Sequence, residues 1–478
     1  MLLGLDLGTA GAHAIAIDAT GASVASAFSE YGTHSPRPGW FEQDPADWRR
    51  AALQVLAGVA AAVRGEIRGL GLTGQPGCVF VDGRGEPVRP AIVGGDQRAA
   101  SQAGRINDQM GAQRLIEISG GPALAGHHAP LIRWLRDVEP VQFRHTRRVL
   151  LPKDQVRMML TGEAATDATD AAGTLVQDLR TRTWSDELLG ALEVPVEWMP
   201  PVHESAHVAG GLRPSLAMSL ELPSGLPVAA GASEAAAAAI SFGVITPGPV
   251  GSTIDRAGLL YARIDGIVTD AGGIIQTACA PAPLCYDLLG TTPSAGGSLR
   301  WWRDVLRWRL GYEALCAPAE FVAAGADGLI FKPHIDGQGG AFVGLRAHHV
   351  QADLTRAVME GVVFSLRARL DVMRALGVDM HQVRATGGGS RSRLWRQIQA
   401  DVFAMPVAAM TSTPSPALGA ALLAGVATGV FSDVPAASER VVRLDNVIEP
   451  DPERAARYQQ LYRTFTTLDS AIREPAIR

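Results

Sequence analysis

One carboxylate, Glu234, stands alone in an apolar stretch. Between Glu221 and Asp255 the chain carries no other Asp, Glu, Lys or Arg, and the residues around the acid read VAAGASEAAAAAISFG. Desolvation raises the proton affinity of such a carboxylate, which suits a general base. The same residue also suits a helix start, because Ser233 can cap and an acid in the first turn meets the positive end of the helix. The residue types support both roles.

Three further groups have the composition of binding loops. Asp6-Leu7-Gly8-Thr9 places an acid at the end of an apolar run, then a Gly and a hydroxyl in a turn. Small turn residues let backbone N–H groups approach phosphate oxygens, and an acid there can hold Mg²⁺ through water. An ordinary hairpin with an Asx turn has the same composition. Thr386-Gly387-Gly388-Gly389-Ser390-Arg391-Ser392 lies between an apolar run and an amphipathic one. Glycines between a strand and a helix can present N–H groups and a helix dipole to a nucleotide, or simply cap the helix. The pattern is neither a P-loop nor GxGxxG. Leu72-Thr73-Gly74-Gln75 and Gly95-Asp96-Gln97-Arg98 both follow apolar runs. Gln75, Asp96 and Arg98 together offer the donors and acceptors that polyol hydroxyls need, and equally suit polar surface loops.

Elements must position these groups. LLGLDLG, AHAIAID and ASVASAF are separated by GTAG and ATG, which predicts a meander of three strands over residues 2–30. Asp44, Pro45 and the apolar spacing that follows predict a capped helix. IRGLGLTG and CVFVDGRG read as two more strands. After Pro247-Gly248-Pro249 the same grammar returns, with TIDRAGLLYARID matching LDLGTAGAHAIAID as strand, tight turn and strand. Leu354, Val358, Val362, Leu366, Leu370 and Met373 form one helical stripe of core type. Mixed hairpins and long helices predict an α/β fold of two similar halves, distinct from a simple Rossmann alternation.

Bulk properties narrow the function classes. The chain has 478 residues, 47% hydrophobic and 19% charged, with a formal charge of −5. That mild acidity gives no reason to expect a nucleic acid or an anionic membrane as partner. The N-terminus lacks a basic region ahead of its apolar residues, and no breaker-free apolar run reaches membrane-spanning length. Cys78, Cys279, Cys285 and Cys316 show no metal-ligand spacing, so they read as reduced thiols of a cytoplasmic protein.

The assembled pieces resemble the FGGY carbohydrate kinases of the actin-like ATPase superfamily, and within them the xylulokinase-like branch. WFEQDPADW, LLPKDQVRMMLTGEAATDATDAAGTLVQDL, SAGGSLRWWRD and GGGSRSRLWRQIQADVFAMPV carry the likeness, which extends to about residue 430. It implies two ribonuclease-H-like domains flanking a cleft: an N-terminal sugar-binding domain over 1–245 and a C-terminal nucleotide-binding domain over 246–478. It implies ATP and Mg²⁺ as cofactors, transfer of the γ-phosphoryl group to a hydroxyl of a ketose or polyol such as D-xylulose, and a homodimer as one assembly. By position, the resemblance assigns Asp6 to the metal and Gly8 and Thr9 to phosphate. It places Gln75, Asp96 and Arg98 with the sugar, Gly387, Gly388 and Gly389 with the nucleotide, and Glu234 as the base.

The chain departs from that family at several of these places. The family base is Asp in a GGGDN-like run, and here the run is GASEA. The second phosphate loop, GTSG in the family, is Asp255-Arg256-Ala257-Gly258, where an acid would repel phosphate and Arg256 would compensate. His13 stands where the family usually has a basic residue, Pro76-Gly77 and Gly94-Gly95 replace larger sugar contacts, and KPHIDGQGGAFVGL lacks a GERTP-type loop. Two function classes follow: a sugar kinase with altered specificity, and a catalytically impaired relative with a binding or regulatory role.

Overall fold

The computed structural model describes residues 1–333, 339–410 and 415–473. The chain divides into two compact units, one of Met1–Thr246, Ile264–Asp287 and Pro414–Val442, the other of Pro247–Arg263, Leu288–Thr413 and Arg443–Arg478.

The first unit opens with the expected meander: β1 (Leu2–Leu7), β2 (Gly11–Ile17) and β3 (Ser23–Glu30). Both of its pairings are antiparallel. A short strand, β4 (Glu42–Gln43), precedes helix α1 (Pro45–Ala62), whose cap Asp44 accepts the Ala46 amide at 2.9 Å with Pro45 in the first turn. Strand β5 (Gly69–Gly74) then runs parallel to β1. The full sheet order is 208–211, 227–229, β5, β1, β2, β3, and the short strand Ala232–Ser233 also pairs with β5.

Alternation along β1 sorts its side chains to two faces. Leu3, Leu5 and Leu7 join Trp48, Val55 and Leu56 of α1 in one core. Leu2 packs on the other face with Leu418, Ala421 and Leu422 of helix Pro416–Ala427 and with Ala237 and Ile240 of helix Glu234–Phe242. Gly4 and Asp6 share that second face with Leu2. Gly4 pairs with Gly71 of β5, and a Cβ on Gly71 would land on the Ala420 carbonyl, so the helix rests directly on the two backbones.

The second unit repeats this order. Strands Gly248–Ile254 and Gly258–Ile264 form an antiparallel hairpin. Gly248–Ile254 pairs parallel with Met380–Thr386, which pairs parallel with Val407–Met410. Tyr286–Thr292 flanks the hairpin, and Leu444–Ile448 closes the other edge antiparallel. The short match between two hairpins in the sequence therefore marks a repeat of the whole sheet. The long stripe lies on helix Gln351–Ala375, where Val358, Val362, Leu366, Leu370 and Met373 are buried. All four cysteines are free thiols.

Candidate active site

The first unit gathers its acids at the ends of parallel strands. Asp6 lies level with Thr73 and Ala232, and Leu7 lies level with Gly74 and Ser233. Glu234 is the next residue after that row and the first of helix Glu234–Phe242, capped by Ser233 Oγ on the Ala236 amide at 3.3 Å. Helix capping is thus present as the sequence allowed, and the same cap delivers Glu234 to the strand ends beside Asp6. Asp6 is 8% exposed, and its Oδ1 has no hydrogen-bond partner among the described residues. Burial, and then the negative charge of Glu234, push the Asp6 carboxyl well above the usual carboxylate range. Glu234 itself is half-buried.

The turn after Asp6 is tight. The Gly8 amide donates to the Gly11 carbonyl at 3.0 Å, and the Tyr31 hydroxyl donates to the Gly8 carbonyl at 2.7 Å. Burial and the charges of Asp6 and Glu234 raise the Tyr31 phenol, so it stays a donor. Thr9 is exposed at the tip, and its carbonyl accepts from Gln43 Nε2 at 2.9 Å.

Gln43, unremarked in the sequence, organises the nearby loop. Its Oε1 accepts from Gln75 Nε2 at 2.6 Å and from Trp48 Nε1 at 2.8 Å. Gln75 is 2% exposed, and its own Oε1 lacks a partner. Asp96 and Arg98 are brought together as a buried ion pair of 2.8 Å, with Arg98 also 2.6 Å from Glu42. The Phe41 amide donates to Asp96 Oδ2 at 2.6 Å, and the Arg98 guanidinium lies over the Trp40 and Trp134 rings. Both side chains are engaged with each other and with residues 40–42, whereas the Gln75 carbonyl lacks a hydrogen-bond partner among the described residues.

A buried charge cluster was not legible as one site. Lys153 Nζ lies 2.6 Å from Asp154, 2.7 Å from Asp167 and 3.0 Å from Asp170, and Arg157 lies 3.0 Å from Asp154. An ammonium offers three N–H groups and here meets three carboxylates. Two cations face three acids, so burial together with the neighbouring Asp167 and Asp154 raises the Asp170 carboxyl to about 7 despite Lys153. The signal was the charge-rich KDQVR and TDATD inside an otherwise apolar segment, but the thirteen residues between Lys153 and Asp167 hide their meeting.

In the second unit, Gly387, Gly388 and Gly389 follow strand Met380–Thr386 as expected, but they do not open a helix. Residues Gly388–Arg391 form a separate 3-10 turn, and Ser392 caps the helix Arg393–Phe403. The reason lies in Asp255. Its Oδ1 accepts the Gly388 amide at 2.7 Å, while Gly387 has φ +75 and no room for a Cβ beside Asp255 Oδ2 and the Ile254 carbonyl, each 2.8 Å away. The acid expected only to repel phosphate thus takes one amide of the glycine turn. Arg256 is exposed beside it, and its carbonyl accepts the amides of Ala295 and Gly297 at 3.0 and 3.1 Å. Residues 334–338, which include the stretch lacking a GERTP-type loop, lie outside the described residues.

Among the described residues one trio has metal-ligand types close together, Asp327, His348 and His349. His349 Nδ1 accepts the Arg346 amide at 3.0 Å, which leaves the proton on Nε2, the nitrogen facing Asp327. A protonated nitrogen is no ligand, so the trio reads as a hydrogen bond of 2.8 Å between His348 and Asp327 with His349 beside it. Asp6 Oδ1 is a buried carboxylate oxygen with no hydrogen-bond partner among the described residues, an atom type that a cation can use.

Two α/β units of the same strand order, one carrying paired carboxylates at its strand ends, define an actin-like phosphotransferase fold. The FGGY family of carbohydrate kinases matches with its N-terminal domain over residues 1–241 and its C-terminal domain over 312–428. The chain is 32% identical to a xylulose kinase of Lactococcus lactis subsp. lactis, over 97% of this chain and 95% of that one. The crystal structure of xylulose kinase from Rhodospirillum rubrum matches with a TM-score of 0.92 at 30% identity, covering 98% of both chains. That of a gluconate kinase from Lactobacillus acidophilus matches with a TM-score of 0.94 at 25% identity, covering 99% of this chain and 98% of the other. The chain belongs to the FGGY family of carbohydrate kinases, whose members transfer phosphoryl groups to sugar hydroxyls and use ATP. No helix among the described residues is long and apolar enough to cross a membrane.

Proposed function

We propose that the chain transfers the γ-phosphoryl group of ATP to a hydroxyl of D-xylulose or a related ketose or polyol, with Glu234 as general base. The observation that carries this is the register that sets Glu234 one residue beyond the row Leu7, Gly74, Ser233, beside the buried Asp6. A base there takes the proton of the attacking hydroxyl as it meets the phosphorus. Region 1–245 supplies the sugar site, with the unpartnered Gln75 carbonyl accepting from a sugar hydroxyl and the Asp96–Arg98 pair shaping the loop beside it. Gly8 and Thr9 approach the transferred phosphate. Region 246–478 supplies the nucleotide site, with Gly387, Gly388 and Gly389 at the nucleotide and Arg256 as its cation.

Asp6 would hold Mg²⁺ through its unpartnered Oδ1, and the ion when bound supplies positive charge against the phosphate oxygens. We place the enzyme in the cytoplasm, with a homodimer as one assembly that the family resemblance offers. The relatives act, by their names, on xylulose or on gluconate. The small residues Pro76-Gly77 and Gly94-Gly95 favour an acceptor bulkier than the one a larger loop would admit.

A second reading, a catalytically impaired relative with a binding role, draws on Asp255. Its carboxylate takes the Gly388 amide and adds negative charge where phosphate would lie. The test is ADP release from MgATP with a panel of ketoses, polyols and gluconate, comparing the protein with Glu234→Gln. Sugar-dependent turnover that falls at least ~100-fold in the variant supports a kinase with Glu234 as its base. Nucleotide binding without turnover on any acceptor supports the second reading.

A further inference from the structure

Glu234 has one more rotatable bond than the Asp that the resemblance led us to expect, so its placement depends heavily on the backbone that carries it. That backbone is tied to the charge cluster at two points, by Arg157, which donates to the Ala230 carbonyl at 2.6 Å, and, nearer the base, by one hydroxyl. Thr169 Oγ1 lies 2.6 Å from Asp167 Oδ1 and 2.8 Å from the Ser233 amide nitrogen. The directions of these bonds are forced. A carboxylate only accepts and an amide only donates, so the Thr169 proton goes to Asp167 and its lone pair takes the Ser233 N–H. Asp167 Oδ1 also accepts the Thr169 amide at 2.8 Å, and its Oδ2 pairs with Lys153 at 2.7 Å. Asp167, Thr169 and Lys153 are all buried.

We propose that Thr169 is the positioning residue for Glu234, transmitting the fixed geometry of the Lys153–Asp167 ion pair to the backbone immediately before the base. This rests on the reading of Glu234 as the base. Apart from the base, the run GASEA is built of small residues, and among the described residues Ala232 and Ser233 pair with one strand, β5. Upstream, the Gly231 amide donates to the Ser205 carbonyl at 3.0 Å, and Thr169 adds the anchor at Ser233 itself, next to the base. A shift of about 1 Å at a base of this kind costs on the order of 100-fold in rate.

The test is a double-mutant cycle with Thr169→Val, which replaces the hydroxyl by a methyl group, and Glu234→Gln. It is read as kcat and KM for MgATP and the best acceptor, with thermal melts of each protein. The expected result is a fall in kcat of tenfold or more in Thr169→Val, with both KM values within about threefold. Thr169→Ser should retain kcat within about threefold. In the Glu234→Gln background the Thr169→Val change should cost less than about twofold, because nothing remains to be positioned. If Thr169→Val does not fold, Thr169→Ala takes its place in the cycle, the smaller side chain avoiding any clash.

Full activity in Thr169→Val, or the same loss in both backgrounds, overturns the proposal and leaves Glu234 as the base. A Glu234→Gln enzyme as active as the parent removes the base and the positioning role with it. The two failures are therefore distinct.

Discussion

The Asp255 carboxylate accepts the Gly388 amide at 2.7 Å, so an acid holds the turn that we propose meets the nucleotide. Two effects are superposed, a fixed turn and a negative charge. Asp255→Asn separates them, since the amide oxygen can keep the bond while the charge is lost. The variant is expected to lower KM for MgATP about three- to tenfold with kcat little changed, which corresponds to about 1 kcal/mol of relieved repulsion near a surface. Arg256→Ala is expected to raise the same KM. Steady-state kinetics at fixed saturating acceptor check both, and an unchanged KM in both variants would place phosphate away from this turn.

Asp170 makes stability depend on pH. Its carboxyl sits at about 7 against an ordinary 3.8, so the folded protein holds a proton that the unfolded chain has released. A group raised in this way contributes stability that is full below the lower value and lost as pH rises through about 7. Asp170→Asn removes the contribution. From pH 5 to pH 8, the stability of the variant relative to the parent should shift in the variant's favour, by on the order of 1 kcal/mol or more. The comparison with the parent matters, because buried His127 and His128, both lowered by desolvation, titrate in part of the same range with the opposite sign. Lys153, Asp154 and Asp167 face Asp170 throughout and are common to both proteins. Urea unfolding at the two pH values gives the difference, and identical shifts in both proteins would rule this origin out.

Gln75→Leu tests the proposed sugar contact. The substitution is close in volume but removes both the carbonyl that lacks a partner and the donor to Gln43 Oε1, which keeps its bond from Trp48. KM for the acceptor should rise tenfold or more while KM for MgATP stays within about twofold, since one hydrogen bond to a neutral hydroxyl is worth about 0.5–1.5 kcal/mol and a stranded group costs more. Equal effects on both substrates would mark Gln75 as structural.

Gly71 and Gly104 should respond oppositely to the same substitution. Gly71→Ala drives a methyl group into the backbone of helix Pro416–Ala427, and overpacking of this kind costs about 1–3 kcal/mol or more. Gly104 lies exposed inside helix Ala100–Met110 with nothing within 4 Å of a new Cβ, so Gly104→Ala should stabilise by about 0.5–1 kcal/mol. Thermal melts distinguish the two directions.

Much of the scaffold was readable before folding. Apolar runs set off by GTAG and ATG turns marked β1 to β3, Asp44-Pro45 marked the start of α1, and the Ala-Gly hairpin turns marked the repeat. Local chemistry decides these features, so a short window contains them. Ser233 was likewise readable as the cap of the helix that begins at Glu234. The glycine turn was only half readable. Its φ-permissive residues were plain, but Asp255 reaches it from more than a hundred residues away and converts a helix start into a separate turn.

The sequence by itself determined the strands, the helix caps, the apolar faces and the solitude of Glu234, because each follows from residue types a few positions apart. Only the tertiary structure decided which groups meet. It set Asp6 beside Glu234 through parallel strand register, and it closed Lys153 on three aspartates from separate elements. It also tied Thr169 to the Ser233 amide. Those pairings depend on register, as does the close approach of helix Pro416–Ala427 onto Gly4 and Gly71, and neither is a property of any short stretch of chain.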